Sequence, residues 1–137
     1  MPPQCDRRRQ PIILLVDDDQ DNLDLLSYQV SMLTSCSLLS ESSGERALFT
    51  AKQAEPDLIL LDIMLPDLDG FQIVHRLKED PQTSHIPVIA VTAMARAQDQ
   101  ESALEAGYDD YLTKPYELEH LESMINRYLS TICFLPH

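Results

Sequence analysis

The stretch Asp57-Leu58-Ile59-Leu60-Leu61-Asp62-Ile63-Met64-Leu65-Pro66-Asp67-Leu68-Asp69-Gly70 decides the fold. Residues 57–61 have the length and composition of a buried strand. A run that is apolar on both faces suits the middle of a parallel sheet covered by helices on both sides. Asp62 closes that run, Pro66 lies in the loop beyond it, and Asp69-Gly70 opens a helix. One carboxylate therefore stands where a core strand gives way to a loop. In open parallel sheets this carboxyl edge is where ligands bind.

The same alternation extends in both directions. Pro11 precedes the apolar run 12–16, which ends in Asp17-Asp18-Asp19. Leu23, Leu26, Val30 and Leu33 then recur at helical spacing, which predicts a helix over 21–34 with Asp19 or Asp21 at its start. A shorter, more polar strand over 37–41 belongs nearer an edge. Ser42 and Glu45 read as a capping box for a helix over 44–54 with a narrow face of Ala47, Leu48 and Ala51. Pro56 ends it. After Asp62, a helix over 69–78 buries Phe71, Val74 and Leu77. A strand over 87–91 ends in Thr92. A polar helix over 96–106 closes at Gly107. A short strand over 109–113 leads to Lys114-Pro115, and Leu118, Leu121, Ile125 and Tyr128 stripe a last helix over 117–130. Five strands alternating with five helices predict an α/β doubly wound parallel sheet with helices on both faces.

Length and composition fit one domain. The chain has 137 residues, 44% of them hydrophobic, and no apolar run approaches the roughly 20 residues of a membrane span. Residues 1–10 read as a tail, 11–130 as the domain and 131–137 as a second tail, with no room for a further domain. No secretory leader is recognisable, because no apolar stretch follows Arg7-Arg8-Arg9, so a cytoplasmic location is expected. Cys5, Cys36 and Cys133 are odd in number and lack metal-ligand spacing, which suits free thiols. A net charge of −13, from 23 acidic and 10 basic residues, argues against direct nucleic-acid binding, which needs a basic footprint.

Right-handed crossovers bring the ends of all these strands to one edge. Asp17 and Asp18, Asp62, Thr92 and Lys114 meet there. Crowded carboxylates repel, and an oxygen-only set of this hardness calls for Mg²⁺ or Mn²⁺. A lysine and a hydroxyl opposite such a site complete the set that neutralises a transferring phosphoryl group. Asp62 is then the nucleophile that forms an acyl phosphate. Two rival motifs fail. Residues 17–28 begin like a calcium-binding EF-hand loop but lack the glycine at the sixth position and the glutamate at the twelfth, where Tyr28 stands. The turn after the first strand holds no glycine for a dinucleotide or P-loop cradle.

At these residues the chain resembles the receiver domain of bacterial two-component response regulators. The motifs are Leu15-Val16-Asp17-Asp18-Asp19, Leu60-Leu61-Asp62-Ile63-Met64-Leu65-Pro66 with Asp69-Gly70, Val91-Thr92-Ala93, and Tyr111-Leu112-Thr113-Lys114-Pro115. The resemblance implies a flavodoxin-like strand order of 2-1-3-4-5, the order of the chemotaxis receiver. It implies Asp62 as phosphoacceptor, Asp18 as a direct Mg²⁺ ligand, Asp17 as a ligand mainly through water, and the Met64 carbonyl as a further ligand. Lys114 would pair with Asp62 and then with the phosphoryl group, Thr92 would swing toward it, and Tyr111 would turn inward as an aromatic switch. A cis Lys114–Pro115 bond is implied too. The partners implied are a histidine kinase or histidine phosphotransfer protein and a downstream protein target, engaged by the fourth helix, fifth strand and fifth helix.

Met64 and Met94 stand two residues after Asp62 and Thr92, positions that in receivers flank the path of the hydrolytic water. Neither thioether orients water well, so a long-lived phosphorylated state is expected. Three other readings compete. A small Mg²⁺-dependent phosphohydrolase of the haloacid-dehalogenase type would use Asp17 as nucleophile and Asp19 as acid/base, but no cap domain is evident. A constitutive scaffold would not need all five key residues. A receiver cut from a hybrid kinase would share every motif.

Overall fold

The computed structural model describes residues 10–94 and 96–129. The strands are β1 (Ile12–Val16), β2 (Ser37–Glu41), β3 (Leu58–Leu61), β4 (Val88–Thr92) and β5 (Asp110–Thr113). They alternate with α1 (Gln20–Leu33), α2 (Gly44–Ala54), α3 (Gly70–Glu79), α4 (Ala97–Ala106) and α5 (Leu118–Leu129). All strand pairs are parallel, in the order β2-β1-β3-β4-β5. The doubly wound α/β expectation holds, strand order included. The two predicted tails, with Cys5, Cys133 and Arg7 to Arg9, lie outside the described residues, apart from Gln10.

Strand periodicity divides the core in two. Leu14, Val16, Ile59, Leu61, Val88 and Ala90 point to one face, where they meet Ala47 and Ala51 of α2, Ile73, Val74 and Leu77 of α3, and Ala103 of α4. Ile13, Leu15, Leu58, Leu60, Ile89, Val91 and Leu112 point to the other, against Leu23, Leu26 and Val30 of α1 and Leu121, Met124, Ile125 and Leu129 of α5. β1, β3 and β4 are buried on both faces because each residue alternates between these two layers. The most polar strand, β2, lies at an edge and is only half-buried.

Three local expectations shift. The run over 57–61 starts one residue later as a strand, because Asp57 turns its carboxylate onto the Ile12 amide at 2.8 Å. Asp109 does the same at β5, accepting from the Val88 amide at 2.8 Å and from Lys78 Nζ at 2.9 Å. The cap of α2 is Ser43 rather than Ser42: its hydroxyl accepts from the Arg46 amide at 3.3 Å. The Gly44 and Glu45 amides go instead to the two carboxylate oxygens of Asp67, at 2.9 and 3.1 Å. No local pattern announces a cap supplied from 22 residues away. Asp19 caps α1, and Gly107 closes α4 at φ 124°, a backbone conformation that suits glycine.

Ile59 is 1% exposed at the centre of the first layer. Ile59→Ala should lower the unfolding free energy by about 2–5 kcal/mol. A urea melt with an unchanged slope would read this as lost stability rather than altered compactness.

Candidate active site

The sheet sets the site. β1 and β3 are neighbours, so their parallel strands end side by side, at Asp17 and Asp62. The Asp62 amide donates to the Val16 carbonyl at 3.0 Å, which holds the two strand ends in register. β4 and β5 stand next, and the Lys114 amide donates to the Thr92 carbonyl at 2.8 Å. The Lys114–Pro115 peptide is cis. Four strand ends thus carry Asp17, Asp62, Thr92 and Lys114 on one edge.

At its centre is a bridged cation. Lys114 Nζ donates to Asp17 Oδ2 at 2.6 Å and to Asp62 Oδ2 at 3.2 Å. Both aspartates are buried, at 3% and 8% exposure. Burial opposes the lysine's charge, but the hydrogen bond to Asp17 and the field of Asp62 outweigh it, and the ammonium pKa is raised. Two carboxylates in reach of one ammonium form a place where positive charge is favoured.

The other oxygens of these aspartates are held by main chain. Asp17 Oδ1 accepts from the Asp19 amide at 3.0 Å, and Asp62 Oδ1 accepts from the Met64 amide at 3.1 Å. Asp18 is exposed beside them. Its carboxyl pKa is raised, first by burial and next by the charge of Asp17, with Asp62 contributing in the same sense. Among the described residues, no three His, Cys, Asp or Glu side chains form a ready-made metal cage. The donor set nonetheless fits Mg²⁺, which keeps several waters and takes only one or two carboxylates.

Thr92 is fully buried at the end of β4, and its hydroxyl accepts from the Met94 amide at 3.4 Å. Tyr111 is half-buried on β5, and its hydroxyl donates to the Met94 carbonyl. The hydroxyl of Thr92 and that of Tyr111 therefore both engage Met94, one at its amide and one at its carbonyl. Met64 is 62% exposed, and Met94 packs on the first core layer. Together with Phe71, Arg96 and Asp99 they line an open depression of about 630 Å³ between the ends of α3 and α4.

Sequence reasoning missed two features of the site's surroundings. Asp67 clamps the Asp62 loop to the start of α2, and those amide bonds hold its carboxyl pKa below the usual range. Tyr108 lies buried beneath the same loop. An aromatic residue directly after the Gly107 cap was the one sequence signal for it.

The chain matches the family model for the response regulator receiver domain over residues 13–126. It therefore belongs to the response regulator receiver family. It is 39% identical over 126 residues to the DNA-binding dual master transcriptional regulator RpaA of Synechocystis, covering 92% of this chain and 52% of that protein. A 14.6 kDa protein of Leptolyngbya boryana is 36% identical, over 85% of this chain and 88% of its own length. The chain thus spans about half of one relative and most of the other. Among solved structures, the receiver domain of a sensor histidine kinase of Pseudomonas aeruginosa, with a magnesium ion in its active-site cleft, superposes with a TM-score of 0.81. It shares 31% identity over 89% of this chain and 98% of that one.

Repulsion at Asp18 gives a test of the site's electrostatics. Its raised pKa means that ionising it costs stability, so the cost is present above the ordinary carboxyl value of 3.8 and vanishes as pH falls below it. In chelator at neutral pH, Asp18→Asn should melt at a temperature slightly above that of the wild type. The gap should close toward pH 3.

Proposed function

We propose that this chain is a phosphoacceptor switch: Asp62 takes a phosphoryl group from a phosphohistidine of a histidine kinase or histidine phosphotransfer protein. The observation that carries the reading is the Lys114 ammonium held between Asp17 and Asp62 at a buried sheet edge. In the reaction, an Asp62 carboxylate oxygen attacks phosphorus, an O–P bond forms and the N–P bond of the donor breaks. The imidazole leaves and takes up a proton. Mg²⁺ (or Mn²⁺), held by Asp18, Asp62 and the Met64 carbonyl and through water by Asp17, would supply neutralisation of the phosphoryl charge. Lys114 keeps its proton throughout and moves its ion pair from the Asp62 carboxylate to the new phosphate.

The output follows from what holds Met94. Thr92, drawn toward the phosphoryl oxygens, gives up the Met94 amide, and the Met94 carbonyl no longer holds Tyr111. Tyr111 turns inward and the α4–β5–α5 face changes. α4 is suited to move, because Asp99 and Ala103 are its only buried residues. A downstream protein reads that face. No nucleic acid is contacted directly, given the net charge of −13. Among the described residues no helix is long and apolar enough to cross a membrane, and the reading places the protein in the cytoplasm. Its only catalysis is of its own phosphorylation and dephosphorylation.

On the donor side, Leu25, Tyr28 and Met32 make an exposed apolar stripe along α1. A cleft of about 420 Å³ joins Leu25 to Asp17 and Lys114, so a donor helix on α1 would reach the site. The phosphohydrolase alternative needs Asp19 as acid/base, whereas its carboxylate caps α1, Oδ1 accepting from the Asp21 amide at 2.9 Å.

Intact mass after incubation with acetyl phosphate and Mg²⁺ tests the reading. The wild type should gain one phosphoryl group and Asp62→Asn none; an adduct that survives in Asp62→Asn would sink it. The lifetime is a separate prediction. With methionines at 64 and 94, the acyl phosphate should outlast a desalting step and persist for many minutes, and a half-life of seconds would refute the role given to them.

A further inference from the structure

Tyr108 joins α4 to β5 and is 3% exposed. Its ring meets Phe71 edge-on, with centroids 6.4 Å apart. Its hydroxyl is the one buried side-chain polar atom among the described residues with no hydrogen-bond partner. A phenylalanine would keep the ring contact and shed the unpaired group, so the hydroxyl is an expense the resting fold does not recover.

The position of that hydroxyl suggests its use. A Cβ built on Gly70 would lie 2.3 Å from Tyr108 Oη, 2.8 Å from the Asp62 carbonyl oxygen and 2.6 Å from Ile63 Cα. Gly70 is therefore small because the phenol and the main chain of the phosphoacceptor loop converge on it. The Gly70 amide is already used, donating to the Ile63 carbonyl at 2.7 Å. The phenol's pKa is raised, by burial first and then by the fields of Asp62 and Asp69, so it remains a donor. It thus lies against the main chain of Asp62 and Ile63, where the loop that carries the phosphoacceptor begins.

We propose that Tyr108 is a positioning residue for the phosphoacceptor loop, its hydroxyl holding in reserve a hydrogen bond that the main chain between Asp62 and Gly70 accepts only in the loaded state. The inference rests on the phosphoacceptor reading above. It makes Tyr108 a link between that loop and the α4–β5 connection, next to the surface that carries the output. The bond is absent before loading, so its free energy adds to loading and not to resting stability.

The full chain and Tyr108→Phe distinguish this role from a structural one. Each is melted in chelator and again with Mg²⁺ and beryllofluoride, which stands in for the phosphoryl group. In chelator the variant should melt at or above the wild-type temperature. The rise on loading should be smaller in the variant, and its beryllofluoride affinity should fall roughly fivefold, the net worth of one hydrogen bond. A slowly exchanging tyrosine hydroxyl proton should appear in the NMR spectrum of the loaded wild type and be missing from the variant. An equal rise in both proteins overturns the proposal alone. So does a variant that melts lower in chelator yet responds fully, since that is packing. A wild type that does not respond at all overturns the proposal together with the phosphoacceptor reading.

Discussion

Two buried carboxylates and one ammonium at the edge of a parallel sheet are the constraint on which the rest depends. Neither Asp17 nor Asp62 could stand where it does without a counter-charge, because an unpaired buried carboxylate costs several kcal/mol or more. Lys114 supplies that charge from a strand end two positions across the sheet from β3. One ammonium reaches both carboxylates, at 2.6 and 3.2 Å, and on the reading proposed above that pairing is exchanged when the site is loaded. A cation that takes over the carboxylates, or a phosphoryl group that takes over the lysine, satisfies the same charges in another arrangement.

The surrounding fold divides into a part that keeps the site rigid and a part that responds. β1, β3 and β4 are buried on both faces and fix the strand ends in register. The loop after Asp62 is held at its near end by the Met64 amide on Asp62, and twice at its far end: Asp67 binds the start of α2, and Asp69 caps α3 with its carboxylate on the Phe71 amide at 2.7 Å. In the β4–α4 connection, the described residues near the site show a long hydrogen bond from the Met94 amide to Thr92 and the Tyr111 hydroxyl on the Met94 carbonyl. α4 has the fewest buried residues of the five helices, Asp99 and Ala103, which suits it to move on the reading proposed above.

Much of this was legible in the chain itself. Alternation of apolar runs with helical stripes specified every strand and helix to within a residue or two. The reason is that a strand buried on both faces reads as a short continuous apolar run, and a helix buried on one face as a stripe of helical period. The strand-end positions of Asp17, Asp62, Thr92 and Lys114 followed from that order plus the handedness of crossovers, and the family motifs added the strand order. The misread features share one cause. Asp57 and Asp109 left their strands, and Ser43 replaced Ser42 as cap, because a partner distant in sequence competed for the same amides: Asp57 for Ile12, Asp109 for Val88, Asp67 for Gly44 and Glu45.

The sequence by itself determined the α/β alternation, the segregation of polar groups to one sheet edge, and the identity of the groups gathered there. These are properties of period and order, which a linear chain carries explicitly. Only the tertiary structure decided that Lys114 pairs more closely with Asp17 than with Asp62, that Met94 takes the hydroxyls of both Thr92 and Tyr111, and that the Tyr108 hydroxyl lies unpaired against Gly70. Those are distances between atoms on different elements. They are set by how two core layers pack, and no residue-by-residue pattern encodes them.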